Sequence, residues 1–154
     1  GVIKPGTVLK LMVQNIDIAP SLMEACGVKA PAEAPRMDGR SFWPLLLGRE
    51  TPWRDHILYE YYWERNFPAT PTILALRTER WKYVYAHGVW DKDGFYDLQT
   101  DPIERHNLIN VPSYAGQISA MRKQLFDELG AGGGLQVPVF PPAGEVLDDR
   151  KLRR

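Results

Sequence analysis

The clearest pattern of hydrophobic and polar positions lies in the middle of the chain. Four short runs there are rich in β-branched, aromatic and aliphatic residues: 57–63, 73–77, 81–86 and 95–98. Only Thr78-Glu79-Arg80 separates the second run from the third, and so short a break is typical of a hairpin. Asp91-Lys92-Asp93-Gly94 precedes the fourth run and is typical of a turn. The pattern predicts a small antiparallel sheet of about four strands.

A helical period follows this sheet. Between Ser113 and Leu129, apolar residues recur at steps of three and four positions, with polar residues between them. Ser113 is the predicted N-cap of the helix, because its hydroxyl can accept a hydrogen bond from a free N–H of the first turn. The apolar face is expected to lie on the sheet. The fold class that follows is α+β, with a long C-terminal helix packed on the strands.

Two shorter helices are predicted before the sheet from their capping residues. Asp17 precedes an apolar pattern over residues 18–26, and Gly27 is placed to end that helix in the left-handed region. A capping role for the Asp17 carboxylate is preferred to a role as a metal ligand. Ser41 is the predicted cap of a second helix over residues 42–47.

A further capping sequence follows the fourth run. Asp101-Pro102-x-Glu104 has the form of an N-cap, a proline at the first helical position and a capping-box acid. It predicts that the sheet is followed at once by a short helix carrying Asn107 and Leu108.

Composition and charge exclude some classes of partner. The chain has 154 residues, of which 44% are hydrophobic, so it is of one-domain size and can build a packed core. Lys plus Arg and Asp plus Glu both number 19, and without a basic stripe nucleic acid is not an expected partner. No window has the roughly 18 apolar residues that a membrane helix needs. The single cysteine, Cys26, cannot form an internal disulfide.

Several motifs together resemble a known enzyme family. The hairpin followed by F-Y-D-L-x-x-D-P-x-E-x-x-N-L at residues 95–108 resembles the C-terminal subdomain of the type I, formylglycine-dependent sulfatases. Within that family it is most similar to the group of N-sulfoglucosamine sulfohydrolase and glucosamine-6-sulfatase. Four other stretches match the family in the same order: N-I-D-I-A-P-S-L at 15–22, M-D-G-R-S-F-W-P-L-L-L-G at 37–48, W-R-D at 53–55 and Y-E-Y-Y-W at 59–63.

The resemblance implies a domain organisation. Residues 1–48 would be the tail end of an alkaline-phosphatase-like α/β catalytic domain, and residues 49–130 the sulfatase C-terminal subdomain. Residues 131–154 are expected to be a mobile tail because they are rich in Gly and Pro. The expected partners are a missing N-terminal sulfatase domain and a sulfated carbohydrate substrate. The family implies a periplasmic or secreted location for the whole protein, although this chain carries no signal.

The resemblance also implies a cofactor and a nucleophile for the complete enzyme. Type I sulfatases use calcium and a formylglycine made from Cys or Ser within a C/S-x-P-x-R motif. Cys26 is followed by Gly-Val-Lys-Ala, and no Ser of the chain is followed by x-Pro-x-Arg. We therefore assign no catalytic residue and no metal ligand, and expect this chain to bind neither cofactor and to be inactive alone.

Candidate substrate contacts lie in the loops at one end of the predicted sheet. His87 and Trp90 flank the loop after the third run, and the resemblance implies that such loops form part of the rim of the sugar pocket. An aromatic face can stack on a sugar ring, and an imidazole can bond hydroxyl or sulfate oxygens. Trp63 and Thr72 are further candidates from the adjoining loop. The alternative is that Trp90 covers the sheet edge and His87 is a surface residue.

Two hypotheses for the function follow. In the first, the chain is the C-terminal fragment of a sulfuric ester hydrolase acting on sulfated, glycosaminoglycan-type sugars, and it supplies scaffold and pocket rim. In the second, it is a stand-alone carbohydrate-binding or interaction module whose aromatic residues form an exposed platform: Tyr59, Tyr61, Tyr62, Trp63 and Trp90. An in-frame C/S-x-P-x-R motif upstream of Gly1 would favour the first.

Overall fold

The computed structural model describes residues 1–64, 66–88 and 91–132. They form two compact units, Gly1–Ile57 and a second unit from Leu58 onward. The predicted contact residue Trp90 and nearly all of the predicted tail lie outside the described residues. The first two positions of that tail, 131 and 132, belong to the last helix.

The N-terminal unit contains three short helical elements. A 3₁₀ helix, Asn15–Asp17, runs directly into α1, Ile18–Ala25, and α2 is a single turn, Trp43–Leu46. Gly27 has φ of 67°, so the left-handed helix end expected there is confirmed. All of Gly1–Ile57 is described, and no hydrophobic side chain within it is buried. This unit therefore has no apolar core of its own.

The expectation that Asp17 caps α1 is wrong. Asp17 already has helical backbone angles, and its side chain makes no capping hydrogen bond to α1. The reason is the preceding 3₁₀ helix, whose N-cap is Gln14: the Asp17 carboxylate accepts the Gln14 N–H at 2.8 Å. The Asp17 carboxylate thus stabilises the start of the 3₁₀ helix. Its remaining lone pairs can accept hydrogen bonds from residues that are distant in the sequence.

The second unit, which begins within β1, is built on a four-stranded antiparallel sheet in the order β1-β2-β3-β4. The strands are β1 His56–Tyr61, β2 Thr72–Thr78, β3 Trp81–His87 and β4 Gly94–Asp97. In the central hairpin, Thr72 is opposite His87 and Arg77 is opposite Lys82. The predicted sheet is confirmed, with strand ends within two residues of the expected positions.

The long helix α3, Ala115–Gly132, supplies the other half of the core. The buried hydrophobic cluster comprises three residues of α3 and four of the sheet: Met121, Leu125 and Leu129 with Leu74, Leu76, Tyr83 and Phe95. Ser113 is not the N-cap of α3. It lies inside a 3₁₀ turn, Pro112–Tyr114, that begins after the extended residue Val111 and leads into α3.

The short helix predicted after the sheet does not form. Residues 101–108 instead make turns, and Glu104 has φ of 56°, which ends any helical path. The Asp101 carboxylate accepts the N–H of His106, five residues later, at 2.8 Å. An N-cap side chain would instead accept an N–H two or three residues later. Glu104 turns its carboxylate to Lys82 Nζ at 2.7 Å on β3. A contact with the sheet therefore replaces the capping box.

Candidate functional site

Three of the four predicted contact residues lie at the end of the sheet where β2 begins and β3 ends. Thr72 and His87 are directly opposite each other in the antiparallel pair, so their side chains point to the same face. The Trp63 N–H donates to Thr72 Oγ1 at 2.9 Å, which brings the segment after β1 to the same place. The fourth residue, Trp90, lies outside the described part of the chain.

Trp63 and Thr72 have different environments. Trp63 is 41% exposed, and its indole Nε1–H donates to the Pro68 carbonyl at 3.2 Å, so the only donor of the ring is used internally. Thr72 is only 3% exposed, and its hydroxyl accepts the Trp63 N–H. Trp63 therefore offers a ring surface, whereas Thr72 fixes the backbone that carries that ring.

His87 is exposed at the last position of β3. Its Nδ1 lies 3.3 Å from the Tyr85 hydroxyl, and the two ring centroids are 6.2 Å apart. Nε2 makes no hydrogen bond to a described residue. An imidazole oriented through one nitrogen in this way can donate to, or accept from, a ligand hydroxyl through the other.

Asp93, just before β4, is bonded to β3. Its carboxylate accepts the Ala86 N–H at 3.2 Å and the Tyr83 hydroxyl at 2.6 Å. Burial and this bond to Asp93 raise the pKa of the Tyr83 phenol, so the phenol stays protonated and donates. The turn predicted at residues 91–94 does not form: residues 91–93 are irregular, Gly94 already belongs to β4, and Asp93 is bonded to β3. Gly94 does not use a positive φ there; it is buried in β4, opposite Val84.

A second polar cluster lies in the N-terminal unit, around Asp17. Its carboxylate is fully buried and accepts Nη1 of Arg54 at 2.6 Å, Nη2 of Arg54 at 2.7 Å and the N–H of Arg40 at 2.8 Å. Burial alone would raise the pKa of Asp17, but these bonds outweigh it and the pKa lies below the ordinary 3.8. Asp17 is a buried anion at neutral pH, and its partners are all protein groups.

The chain of contacts around Asp17 depends on a glycine. A Cβ added to Gly39 would lie 2.0 Å from the Ile16 carbonyl oxygen, so only glycine allows this close approach of two backbones. The next residue, Arg40, then reaches Asp17, and the Phe42 N–H donates to the buried Ser21 hydroxyl at 2.9 Å. The D-I-A-P-S and D-G-R-S-F stretches are therefore joined by these bonds.

Comparison with known proteins decides the family. A family model described as N-sulphoglucosamine sulphohydrolase, C-terminal, matches residues 1–130. The chain belongs to this family. It is 28% identical to the ulvan-active sulfatase of Formosa agariphila over 190 aligned residues, which cover 99% of this chain and 38% of that protein.

One further relative and one solved structure are similar to the chain, the latter in fold. The N-acetylglucosamine-6-O-sulfatase of Bacteroides thetaiotaomicron is 29% identical over 119 residues, 73% of this chain and 20% of that protein. The structure of BT4656 in complex with its substrate D-glucosamine-2-N,6-O-disulfate superposes with a TM-score of 0.76 at 22% identity, covering 91% of this chain and 28% of that one. The chain thus spans well under half the length of the relatives it matches.

The signature of this sulfohydrolase family between residues 95 and 108 has a structural role here. Asp97 is buried and its carboxylate accepts Arg80 Nη2 at 2.9 Å, which holds the pKa of Asp97 below its usual range. Asn107 Oδ1 accepts the N–H of Phe95 at 3.0 Å, and Nδ2 donates to the Asp93 carbonyl at 3.0 Å. Asp97 thus binds Arg80 between β2 and β3, and Asn107 binds the start of β4, so the motif maintains the fold.

Within residues 1–64, 66–88 and 91–132, no group of three or more His, Cys, Asp or Glu is arranged to hold a metal ion. The sequence supplies no C/S-x-P-x-R motif for formylglycine. No chemical step is therefore derived from residues of this chain. Among the same residues, no helix has the length and apolar character to cross a bilayer.

Sequence reasoning missed two residues beside the sheet end. Arg122 of α3 places its guanidinium 5.4 Å from the centroid of the Tyr85 ring, and Asp93 bonds β3 as described above. Arg122 gives no local signal because it follows Met121 on an otherwise ordinary amphipathic helix. Its position depends on how α3 packs on the sheet, which the spacing of apolar residues does not specify.

Proposed function

We propose that this chain is the C-terminal portion of a sulfuric ester hydrolase acting on sulfated sugars of the glycosaminoglycan type. The observation that carries the proposal is the family match over residues 1–130, with relatives named as an ulvan-active sulfatase and an N-acetylglucosamine-6-O-sulfatase. These relatives are much longer than the chain. The chain's role in such an enzyme is to supply scaffold and part of the rim of the substrate pocket.

The partner in this proposal is an N-terminal sulfatase domain that carries formylglycine and calcium. The N-terminal unit supports it, because its apolar side chains have no core to enter: Ile18 is 50% exposed and Leu22 is 60% exposed on α1. A groove on the same unit is lined by further apolar residues, among them Met23, Val28 and Met37. Surfaces of this kind are suited to burial against another part of a larger domain.

The rim in this proposal consists of the residues at the sheet end. Trp63 presents an exposed ring on which a sugar can stack, and His87 presents an imidazole nitrogen to a hydroxyl or sulfate oxygen. Thr72 is too deeply buried for direct contact and acts by holding the Trp63 backbone. Trp90 remains a predicted contact outside the described residues.

The rim is tested by substitution in the longer polypeptide that contains this chain. His87→Ala and Trp63→Ala should each lower kcat/KM for a sulfated sugar by roughly 1 to 3 kcal/mol of transition-state binding, the scale of a lost polar contact or stacking surface. A small aryl sulfate does not reach the rim and should be hydrolysed at an unchanged rate.

Tyr59→Ala is the matched control for the rim, because Tyr59 is also an exposed aromatic residue, at 54%, but lies within β1. It should leave kcat/KM unchanged on both substrates. Equal losses on both substrates in the His87 and Trp63 variants would mean that these residues act through folding. The carbohydrate-binding module would be favoured by two results together: the protein contains no C/S-x-P-x-R motif, and Tyr59→Ala weakens its binding to the sugar.

A further inference from the structure

Arg122 is a half-exposed cation held against the face of the sheet that carries His87. Its side chain is 53% exposed, and its guanidinium carbon lies 5.4 Å from the centroid of the Tyr85 ring and 5.6 Å from that of Phe126. Tyr85 and Phe126 themselves meet edge to face, with centroids 5.2 Å apart. Contact with two fixed rings restricts the side chain, so less entropy is lost when the guanidinium binds a ligand.

Among the described residues, protein groups neutralise the charge of Arg122 only in part. Nη1 lies 3.4 Å from Asp93 Oδ2 and 3.4 Å from the Tyr83 hydroxyl, both longer than a strong charge-assisted bond. The same Asp93 oxygen already accepts the Tyr83 hydroxyl at 2.6 Å. Within the described residues, Nη2 and Nε of Arg122 make no hydrogen bond. A forked pair of donors is therefore available to an oxyanion.

Arg122 and His87 share Tyr85 as a neighbour. The His87 ring lies 6.2 Å from the Tyr85 ring, and the Tyr85 hydroxyl lies 3.3 Å from His87 Nδ1. The guanidinium contacts the same ring at 5.4 Å. A sugar that reaches His87 would thus bring the substituents of its neighbouring unit close to Arg122.

We infer that Arg122 is a specificity-determining residue that binds a second oxyanion of the substrate, a sulfate or a uronate carboxylate on the sugar unit next to the one that is hydrolysed. The inference rests on the proposed function, since it places this oxyanion on a sulfatase substrate. Planar guanidinium groups bind both kinds of oxyanion through two parallel N–H bonds. Arg122 contacts no reacting atom in this account and changes only which substrates bind well.

The test is the Arg122→Gln variant of the longer, active polypeptide, assayed on three substrates. These are an aryl sulfate with no second anion, a disaccharide with a second sulfate, and a disaccharide with a uronate but no second sulfate. Loss of a hydrogen bond to a charged group should lower kcat/KM about 10- to 100-fold. We expect that loss on one or both disaccharides, chiefly through KM, and no change on the aryl sulfate. The disaccharide that is affected identifies the oxyanion.

Lys123→Gln is the matched control, because it removes the same charge from the next residue of α3. Lys123 is 76% exposed and pairs with Asp127 on its own helix. It should leave all three substrates unaffected, and the thermal midpoints of both variants should be compared with the unsubstituted protein. An equal loss on all three substrates in Arg122→Gln, or an equal effect of Lys123→Gln, would overturn the inference alone. Absence of turnover by the unsubstituted polypeptide would overturn the proposed function as well.

Discussion

Single residues with several hydrogen bonds maintain the N-terminal unit, and Asp17 is the clearest of them. A buried carboxylate is costly unless its oxygens are satisfied, and Asp17 accepts bonds from two backbone N–H groups and from both terminal nitrogens of Arg54. Since this unit has no apolar core, the cluster around Asp17 supplies much of what defines its fold. The cluster joins segments that are far apart in the sequence.

Removing Arg54 should therefore leave a buried, uncompensated charge. Arg54→Ala should destabilise the N-terminal unit by about 3 kcal/mol, the scale for breaking a buried pair at one side. Amide hydrogen exchange should show the loss in α1, with the hairpin of β2 and β3 as the internal reference. Arg54→Lys keeps the charge but loses the two-nitrogen fork. Its protection of α1 should therefore lie between that of Arg54→Ala and that of the unsubstituted protein. Unchanged protection of α1 in Arg54→Ala would contradict this role.

The same cluster predicts a pH dependence. The folded pKa of Asp17 is lowered, so its contribution is fully present above the ordinary value of 3.8 and is lost as the pH falls through the lowered pKa. Protection of α1 should accordingly be constant from neutral pH down to about 4 and decrease below it. In Arg54→Ala this acid transition should move to higher pH, because burial without the guanidinium favours the protonated acid.

At the residue level, the sequence could show that Asp17 is structural but not which residues it binds. Its polar side chain before an apolar helical pattern pointed to capping, and the true local partner, Gln14, lies only three residues away. Arg54 is 37 residues distant, and no periodic pattern connects it to Asp17. Contacts of this separation depend on how whole segments fold back on one another.

At the level of elements, the strands and α3 could be predicted because their signals are local and repeated. Runs of β-branched, aromatic and aliphatic residues at 73–77 and 81–86 specified β2 and β3, and the helical period specified which face of α3 is buried. The segment after β4 could not be predicted, because Asp101-Pro102-x-Glu104 starts like a helix. Bonds from Asn107 to β4 and from Glu104 to Lys82 then outweigh the local preference.

Glu104 allows this competition to be measured. Its φ of 56° is unfavourable for any residue with a Cβ, by about 1 to 2 kcal/mol. Glu104→Gly and Glu104→Ala both lose the ion pair with Lys82. The difference between their free energies of unfolding therefore reports the cost of the backbone conformation alone. The Gly variant should be more stable than the Ala variant by about 1 kcal/mol in urea unfolding. An Ala variant of equal or greater stability would mean that the segment relaxes to a helical path.

At the level of the whole molecule, the two units differ in how they bury apolar surface. Every buried residue of the hydrophobic cluster belongs to the unit from Leu58 onward. The N-terminal unit instead exposes many large apolar side chains: Val2, Ile3, Val8, Leu11, Val13, Ile16, Ile18, Leu22, Val28 and Met37. The family motifs could be recognised in the sequence, whereas this imbalance required the fold. It supports the proposal that the chain is part of a longer sulfatase.

The most direct test is an assay of sulfate release from a sulfated glucosamine. It compares this chain with the longer polypeptide that we propose contains it. A sulfatase needs an activated nucleophile and a cation to stabilise charge on the sulfate, and this sequence carries no motif for either. We expect no release above background by the chain alone and clear release by the longer polypeptide, which should contain C/S-x-P-x-R. Sulfate release by the chain alone would contradict the proposed function. So would a longer polypeptide that lacks the motif and releases no sulfate.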